Sequence, residues 1–285
     1  MISEAQFQKE LALIISNAIR EDVGDGDHSS LACIPETAQG KAKLLVKDQG
    51  IIAGVEFAKM IFNNVDKDMI VETFINDGDA VKYGDIVFHV SGSSQSILKA
   101  ERLVLNAMQR MSAIATKTKL FVDLIEGTTA KILDTRKTTP GIRAIEKWAV
   151  KIGGGENHRF ALYDMIMLKD NHIDFAGGIP QAIAKTKQYL SDNNKDLKII
   201  VEARDLDEVQ QILNSGGVYR ILLDNFDFET TKKAVALIGN QSLTESSGNI
   251  NEKTIRNYAE CGVNYISSGA LTHSVYNMDL SLKAI

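Results

Sequence analysis

The chain has 285 residues, 44% hydrophobic and 24% charged, with a formal net charge of −5. This is the profile of a globular protein able to build one large and one smaller domain, and its acidic balance excludes a general nucleic-acid binder, which needs a broad basic face. Its two cysteines, Cys33 and Cys261, form no CxxC pair, which sets aside zinc-finger and disulfide-framework classes and makes a reducing cytoplasm the expected location.

The opening MISEAQFQKELALIISNAIRED sets apolar Leu11–Ile15 between Glu10 and Arg20, which predicts an amphipathic helix and not a signal peptide. No later run is long and apolar enough to predict a membrane span. KAKLLVK (41–47), GIIAGVE (50–56), MIVETFI (69–75) and DIVFHVSG (85–92) then alternate or run apolar. With turn signals at Asn76–Asp79 and Tyr83–Asp85, they predict the strands of a small α+β layer. Leu98, Leu103, Leu105, Met108, Met111, Ile114 and Leu120 recur at mainly helical spacing, and neither Pro nor Gly intervenes before Gly127. One long helix over 96–126 is predicted.

From Lys131 onward the pattern changes. The apolar runs KILD, DMIML, KIIVE, YRILLD, SLTES and NYISS alternate with helical patterns such as those at 206–216, 228–239 and 251–262. Strands alternating with helices predict βα units around a parallel sheet. Six such strands are fewer than the eight of a closed (β/α)8 barrel, so an incomplete barrel competes with a doubly wound sheet.

The chemistry gathers where these strands end. Between Lys131 and Lys169 stand eight Lys/Arg against four Asp/Glu, in a chain that is acidic overall. Arg136-Lys137, His158-Arg159 and Lys169 lie beside Gly, Pro and Asn, residues that favour loops. Guanidinium forks grip planar carboxylates and lysine acts as a point charge, so Arg136, Lys137, Arg159 and Lys169 suit a small dianion. Glu202 and Asp224 follow the third and fourth strands and suit a magnesium ion carried in with phosphates. The glycines of GGG (153–155), SSGNI (246–250) and SSGA (267–270) permit close backbone approach. The last two clusters stand where barrels often hold a phosphate.

The motifs EDVGDGD (21–27), AERLVLN (100–106), LDTRKTTPG (133–141), GGGENHR (153–159), LKDNHI (168–173), VEA (201–203), LLDNF (222–226) and SGALTHS (268–274) run in one order over nearly the whole chain. In this the sequence resembles the quinolinate phosphoribosyltransferases, decarboxylating nicotinate-nucleotide pyrophosphorylases of NAD biosynthesis. The resemblance implies an α/β fold: an incomplete (β/α) barrel over 113–273, a smaller N-terminal α+β sandwich domain over 1–112, and a tail, 274–285, packed on that domain. It implies quinolinate and phosphoribosyl pyrophosphate as substrates, with magnesium as the metal. Arg136, Lys137, His158, Arg159 and Lys169 would line the quinolinate pocket, and Arg102 would reach in from the partner of a homodimer with shared sites, or of a higher oligomer. Glu202 and Asp224 would face ribose and magnesium, with Ser246, Ser247, Gly248, Ser268, Gly269 and Ala270 near the 5′-phosphate. Lys137, Lys169, Glu202 and Asp224 would carry the catalysis. One departure is Asn249, where many members have a second glycine. Neither a nucleic acid nor a membrane is an expected partner. Three other readings compete: a sister enzyme acting on nicotinate, a catalytically idle phosphate-binding barrel, and a Schiff-base aldolase using Lys169 or Lys137.

Overall fold

The computed structural model describes residues 2–285, which form two compact units. The first comprises Ile2–Leu120, Lys137–Gly154 and Leu271–Ile285; the second comprises Phe121–Arg136 and Gly155–Ala270. In chain order the first unit begins with α1 (Glu4–Val23), α2 (His28–Cys33), β1 (Gln39–Val46), β2 (Gly50–Ile51), α3 (Val55–Val65), β3 (Ile70–Thr73), β4 (Ala80–Val81), β5 (Ile86–Ser93) and most of α4 (Ser94–Leu124). Then come β6 (Lys131–Leu133), α5 (Arg143–Ile152), β7 (Ile166–Leu168), α6 (Asp170–Ala176), α7 (Ile179–Asp192), β8 (Ile199–Ala203), α8 (Leu206–Ser215), β9 (Arg220–Asp224), α9 (Phe228–Ile238), β10 (Leu243–Ser247), α10 (Ile255–Glu260), β11 (Tyr265–Ser267), α11 (Ala270–His273) and β12 (Leu280–Ala284). Among the described residues no helix is long and apolar enough to cross a membrane.

In the first unit, the opening helix forms as its sequence predicts. The Ser3 hydroxyl accepts from the Gln6 amide at 3.2 Å, and Leu11, Ile14 and Ile15 are buried. Four antiparallel strands follow the order β12-β1-β5-β3, with Ala42, Leu44 and Val46 of β1 buried at a period of two. The segment 50–56 departs from its predicted strand. Only Gly50–Ile51 pair, and Val55 opens α3 because Gly54 adopts φ +96° and Asp77 accepts from the Val55 amide at 2.8 Å and the Glu56 amide at 3.2 Å. That capping carboxylate comes from a remote turn, beyond any local reading.

In the second unit, six parallel strands follow the order β6-β11-β10-β9-β8-β7. Neighbours advance in sequence from β7 to β11, and β11 then pairs with β6. This circular succession is that of a barrel; a doubly wound sheet reverses direction at a switch point. The barrel is incomplete, with β6 and β7 at the ends of the strand order. Beside β6 the chain lays down a single parallel bridge, Leu133 to Glu156, with the Glu156 amide donating to the Ile132 carbonyl at 2.8 Å.

Alternation along these strands sorts two faces. Ile199, Val201 and Ala203 of β8, with Ile221 and Leu223 of β9, share one buried cluster with Ile179 and Ile183 of α7 and Val209 and Ile212 of α8. Ile200, Glu202, Arg220, Leu222 and Asp224 therefore project to the opposite, inner face. The register sets Leu222 between Glu202 and Glu245, and Asp224 beside Ser247. A helix-facing apolar layer thus leaves an inner face rich in charge.

Candidate active site

At the end of β6, the fully buried carboxylate of Asp134 accepts from Asn157 Nδ2 at 2.6 Å and from the His158 amide at 2.8 Å. These bonds fix the GGGENHR segment against the strand. His158 and Arg159 are buried. His158 Nδ1 accepts the Arg159 amide at 2.7 Å, while Nε2 lies 3.3 Å from Glu245 Oε2. Arg220 Nη1 donates to that same oxygen at 2.6 Å. Burial opposes charge on Glu245, but His158, Arg220 and Ser267 outweigh it and hold the carboxyl down at about 2. The Arg159 guanidinium donates to the Met165 carbonyl at 3.2 Å. Burial, and then the like charge of exposed Arg136, lower its pKa. A second guanidinium close enough to disfavour the charge of Arg159 makes a ready seat for an anion.

The acidic part of the face lies on the strands that follow. Lys169, at the N-terminus of α6, donates to Glu202 Oε2 at 3.0 Å, with its side chain 47% exposed. Asp224 accepts from the Ser247 hydroxyl at 2.9 Å and from Asn225 Nδ2 at 2.8 Å. Gly248 follows at φ +88°, and a β-carbon there would lie 2.5 Å from Asn225 Cγ and 3.0 Å from the Asn225 amide nitrogen. Only glycine fits that close approach. Asn249 sits at φ +53°, its carbonyl accepting from Asn251 Nδ2 and the Thr254 hydroxyl, each at 3.2 Å. Asparagine is among the few residues that take this left-handed conformation readily, so the departure at Asn249 preserves a backbone that a glycine would also adopt.

The other predicted site residues are less uniform. The Ser246 hydroxyl is buried without a partner, and its register opposite Leu223 turns it toward the helical layer. Ser268 is buried and its hydroxyl accepts the Ala270 amide at 3.3 Å, with Gly269 between them. Lys137 and Arg102 belong to the first unit. Lys137 is exposed and its carbonyl accepts from the Thr272 hydroxyl at 2.8 Å. Arg102 is exposed on α4 and lines a cavity of about 360 Å³ with Asn106, Arg110, Pro140, Gly141 and Ile145.

Sequence reading overlooked two buried ion pairs. In the first unit, Glu146 is fully buried, bound by Arg110 Nε at 3.0 Å and Nη2 at 2.9 Å. It also accepts from the Thr139 amide at 3.0 Å and hydroxyl at 2.9 Å, which ties down the end of the TRKTTPG loop. Nothing in the local sequence marks Glu146, since Arg110 lies 36 residues away. In the second unit, Glu245 reads as a strand-end carboxylate, yet it stands mid-strand in β10 with Arg220. Alternation with Leu243 and Ser247 gives its face but not its depth.

Two family models match the chain: quinolinate phosphoribosyl transferase, N-terminal domain, over residues 27–112, and C-terminal domain, over residues 114–283. The chain belongs to the quinolinate phosphoribosyltransferase family. A rice nicotinate-nucleotide pyrophosphorylase named as chloroplastic is 46% identical over 96% of this chain and 77% of its own length. A tobacco decarboxylating quinolinate phosphoribosyltransferase, named as mitochondrial, is 45% identical over 96% of this chain and 82% of its own. The crystal structure of NadC from Streptococcus pyogenes superposes with a TM-score of 0.89 at 36% identity, covering 100% of this chain and 99% of that one. The activity is the family's: decarboxylating phosphoribosyl transfer to quinolinate in NAD biosynthesis. The organellar names overturn the cytoplasmic expectation. Two free cysteines, Cys33 and Cys261, speak only of a reducing milieu, which is not peculiar to the cytoplasm.

Proposed function

We propose that the inner face of the parallel sheet is where the transfer occurs, with quinolinate at its cationic end and phosphoribosyl pyrophosphate at its acidic end. The observation that carries this reading is the separation of charge: Arg136 and Arg159 beyond β6, Glu202 and Asp224 on one face of β8 and β9. Quinolinate presents two adjacent carboxylates on a pyridine ring, and two guanidinium forks with Lys169 match that charge. Lys137, next in the chain to Arg136, is assigned to the same ligand on the family resemblance. Lys169 is bound to Glu202 here and is half-exposed, so it can exchange that carboxylate for the substrate's.

The ring nitrogen of quinolinate attacks the anomeric carbon, and the carbon–oxygen bond to pyrophosphate breaks. The 2-carboxylate then leaves as carbon dioxide, and its bonding pair, taking up a proton, leaves nicotinate mononucleotide. The protein supplies no nucleophile: alignment of the two substrates and compensation of their charge carry the step. Glu202 and Asp224 face the ribose, and Ser247 and Gly248 with the Ser268–Ala270 turn receive the 5′-phosphate. Ser246 adds its backbone alone.

No cluster of three metal-ligating side chains occurs among the described residues. Both carboxylates already accept hydrogen bonds. That donor set fits a magnesium ion held by Glu202 and Asp224 together with phosphate oxygens and water, rather than by a protein cage. When bound, magnesium would neutralise pyrophosphate charge.

Incubation with quinolinate, phosphoribosyl pyrophosphate and magnesium, with nucleotide, pyrophosphate and carbon dioxide detected separately, tests the pocket. Nicotinate should react far more slowly than quinolinate; equal rates would remove the two-carboxylate assignment.

The assembly that fits the resemblance is a homodimer in which Arg102 completes the partner's site. Arg102→Ala and Lys169→Ala should each be nearly inactive, yet co-refolding them should restore about a quarter of wild-type activity by random pairing. Verified heterodimers without recovery would place Arg102 outside the partner's site.

A further inference from the structure

Behind Arg159 runs a chain of polar side chains, of which only His158 has an expected place in the transfer reaction. Arg220, Glu245 and His158 have side chains only 7%, 0% and 5% exposed. The Arg220 guanidinium carbon stands 4.1 Å above the Tyr265 ring, its Nη1 reaches Glu245 Oε2 at 2.6 Å, and that oxygen lies 3.3 Å from His158 Nε2. At the other edge of the imidazole, Nδ1 lies 2.7 Å from the Arg159 amide nitrogen. An amide can only donate, so Nδ1 must be the acceptor and the ring proton sits on Nε2, facing Glu245. A second proton on Nδ1 would set two donors against each other. The contacts thus run in one direction from Arg220 through Glu245 and His158 to the Arg159 amide, while Arg220 Nε and Glu245 Oε1 are buried without a partner, and both ring nitrogens of His158 face protein groups.

We propose that Glu245 and Arg220 are positioning residues for quinolinate binding: through the neutral, Nε2-protonated His158 they hold the Arg159 backbone, and so aim its guanidinium. The proposal rests on the assignment of Arg159 to quinolinate. It changes the role expected of His158, from lining the pocket to supporting the residue that does. Filling this space with apolar side chains would stabilise the barrel at least as well, because a buried ion pair gains little over good packing. What apolar packing would not do is accept the Nε2 proton. Arg159 is then held at both ends, by His158 at its amide and by the Met165 carbonyl at its guanidinium. A guanidinium fixed in advance loses less freedom when it binds.

The direct test is nitrogen-15 NMR of the His158 ring in the wild-type protein, with and without saturating quinolinate. One protonated and one bare nitrogen, Nε2 and Nδ1 respectively and unchanged by the ligand, is the expected result. A doubly protonated ring, or a proton that moves when quinolinate binds, would overturn the proposal. Calorimetry adds a second arm. Glu245→Gln should weaken quinolinate about tenfold, and in combination with Arg159→Lys it should add little to the loss from Arg159→Lys alone. Fully additive losses would show that Glu245 acts by another route. His158→Asn, whose Oδ1 can take the place of Nδ1, should bind quinolinate better than His158→Gln, whose amide NH2 can take the place of the Nε2–H donor. The reverse ranking would show that the bond to the Arg159 amide does not carry the effect and would overturn the proposed route. If Arg159→Lys leaves quinolinate binding unchanged, the pocket assignment fails, while the ring spectrum still decides the hydrogen-bond chain.

Discussion

Two ion pairs of nearly equal length stand in opposite surroundings in this molecule. Arg110 Nη2 and Glu146 Oε1 meet at 2.9 Å in the first unit, and Lys169 Nζ and Glu202 Oε2 at 3.0 Å in the second. Glu146 is fully buried and accepts from Thr139 as well, whereas the Lys169 side chain is 47% exposed. Water screens the second pair and contributes to the alternatives open to its lysine; it does neither for Glu146. The buried pair is scaffold, anchoring a loop that carries Arg136 and Lys137 toward its start. The half-exposed pair is the contact proposed to give way to substrate.

The largest expected effect breaks the scaffold side of this contrast. Glu146→Gln leaves the Arg110 charge without its counter-ion and should cost about 3 kcal/mol of stability, read from denaturant midpoints. A loss below about 1 kcal/mol would mean that Arg110 finds water instead. Next comes Gly248→Ala, which imposes a side chain at φ +88° and against Asn225. It should destabilise by about 2 kcal/mol and raise KM for phosphoribosyl pyrophosphate more than for quinolinate, because the displaced Asn225 bonds to Asp224. Equal rises in both KM values would detach this turn from the phosphate subsite.

The smallest effect is expected beside it. Asn249→Gly gives up an exposed 3.2 Å bond from Asn249 Nδ2 to Asn225 Oδ1 but keeps the left-handed backbone. Stability should change by less than about 1 kcal/mol, with KM for phosphoribosyl pyrophosphate unaltered. A large change in that KM would give the Asn249 side chain a role that its backbone conformation alone does not explain.

The same contrast separates what sequence discloses from what it hides. Period-two and helical spacing revealed β1, β3, β5, the long α4 and six parallel strands, because those patterns record which face is buried. That Arg136, Lys169, Glu202 and Asp224 lie at or just beyond the ends of parallel strands was legible, because the apolar runs mark where those strands stop. Hidden were the contacts made by residues far apart in the chain. Asp77 caps α3 from 22 residues away, which turned a predicted strand into a helix, and Arg110 meets Glu146 across 36. Glu245 shows the limit within a single strand: its sequence position suggests a strand end, whereas it stands mid-strand with Arg220 and His158 beside it.

The decisive measurement compares Lys169→Met with wild type for thermal unfolding and turnover in the same preparation. If the Lys169–Glu202 pair exists to be exchanged for substrate, Tm should stay within about 3 °C and turnover with quinolinate should fall by at least about 100-fold. A clear fall in Tm with turnover largely kept would make Lys169 part of the scaffold and move the quinolinate pocket away from the ends of these strands.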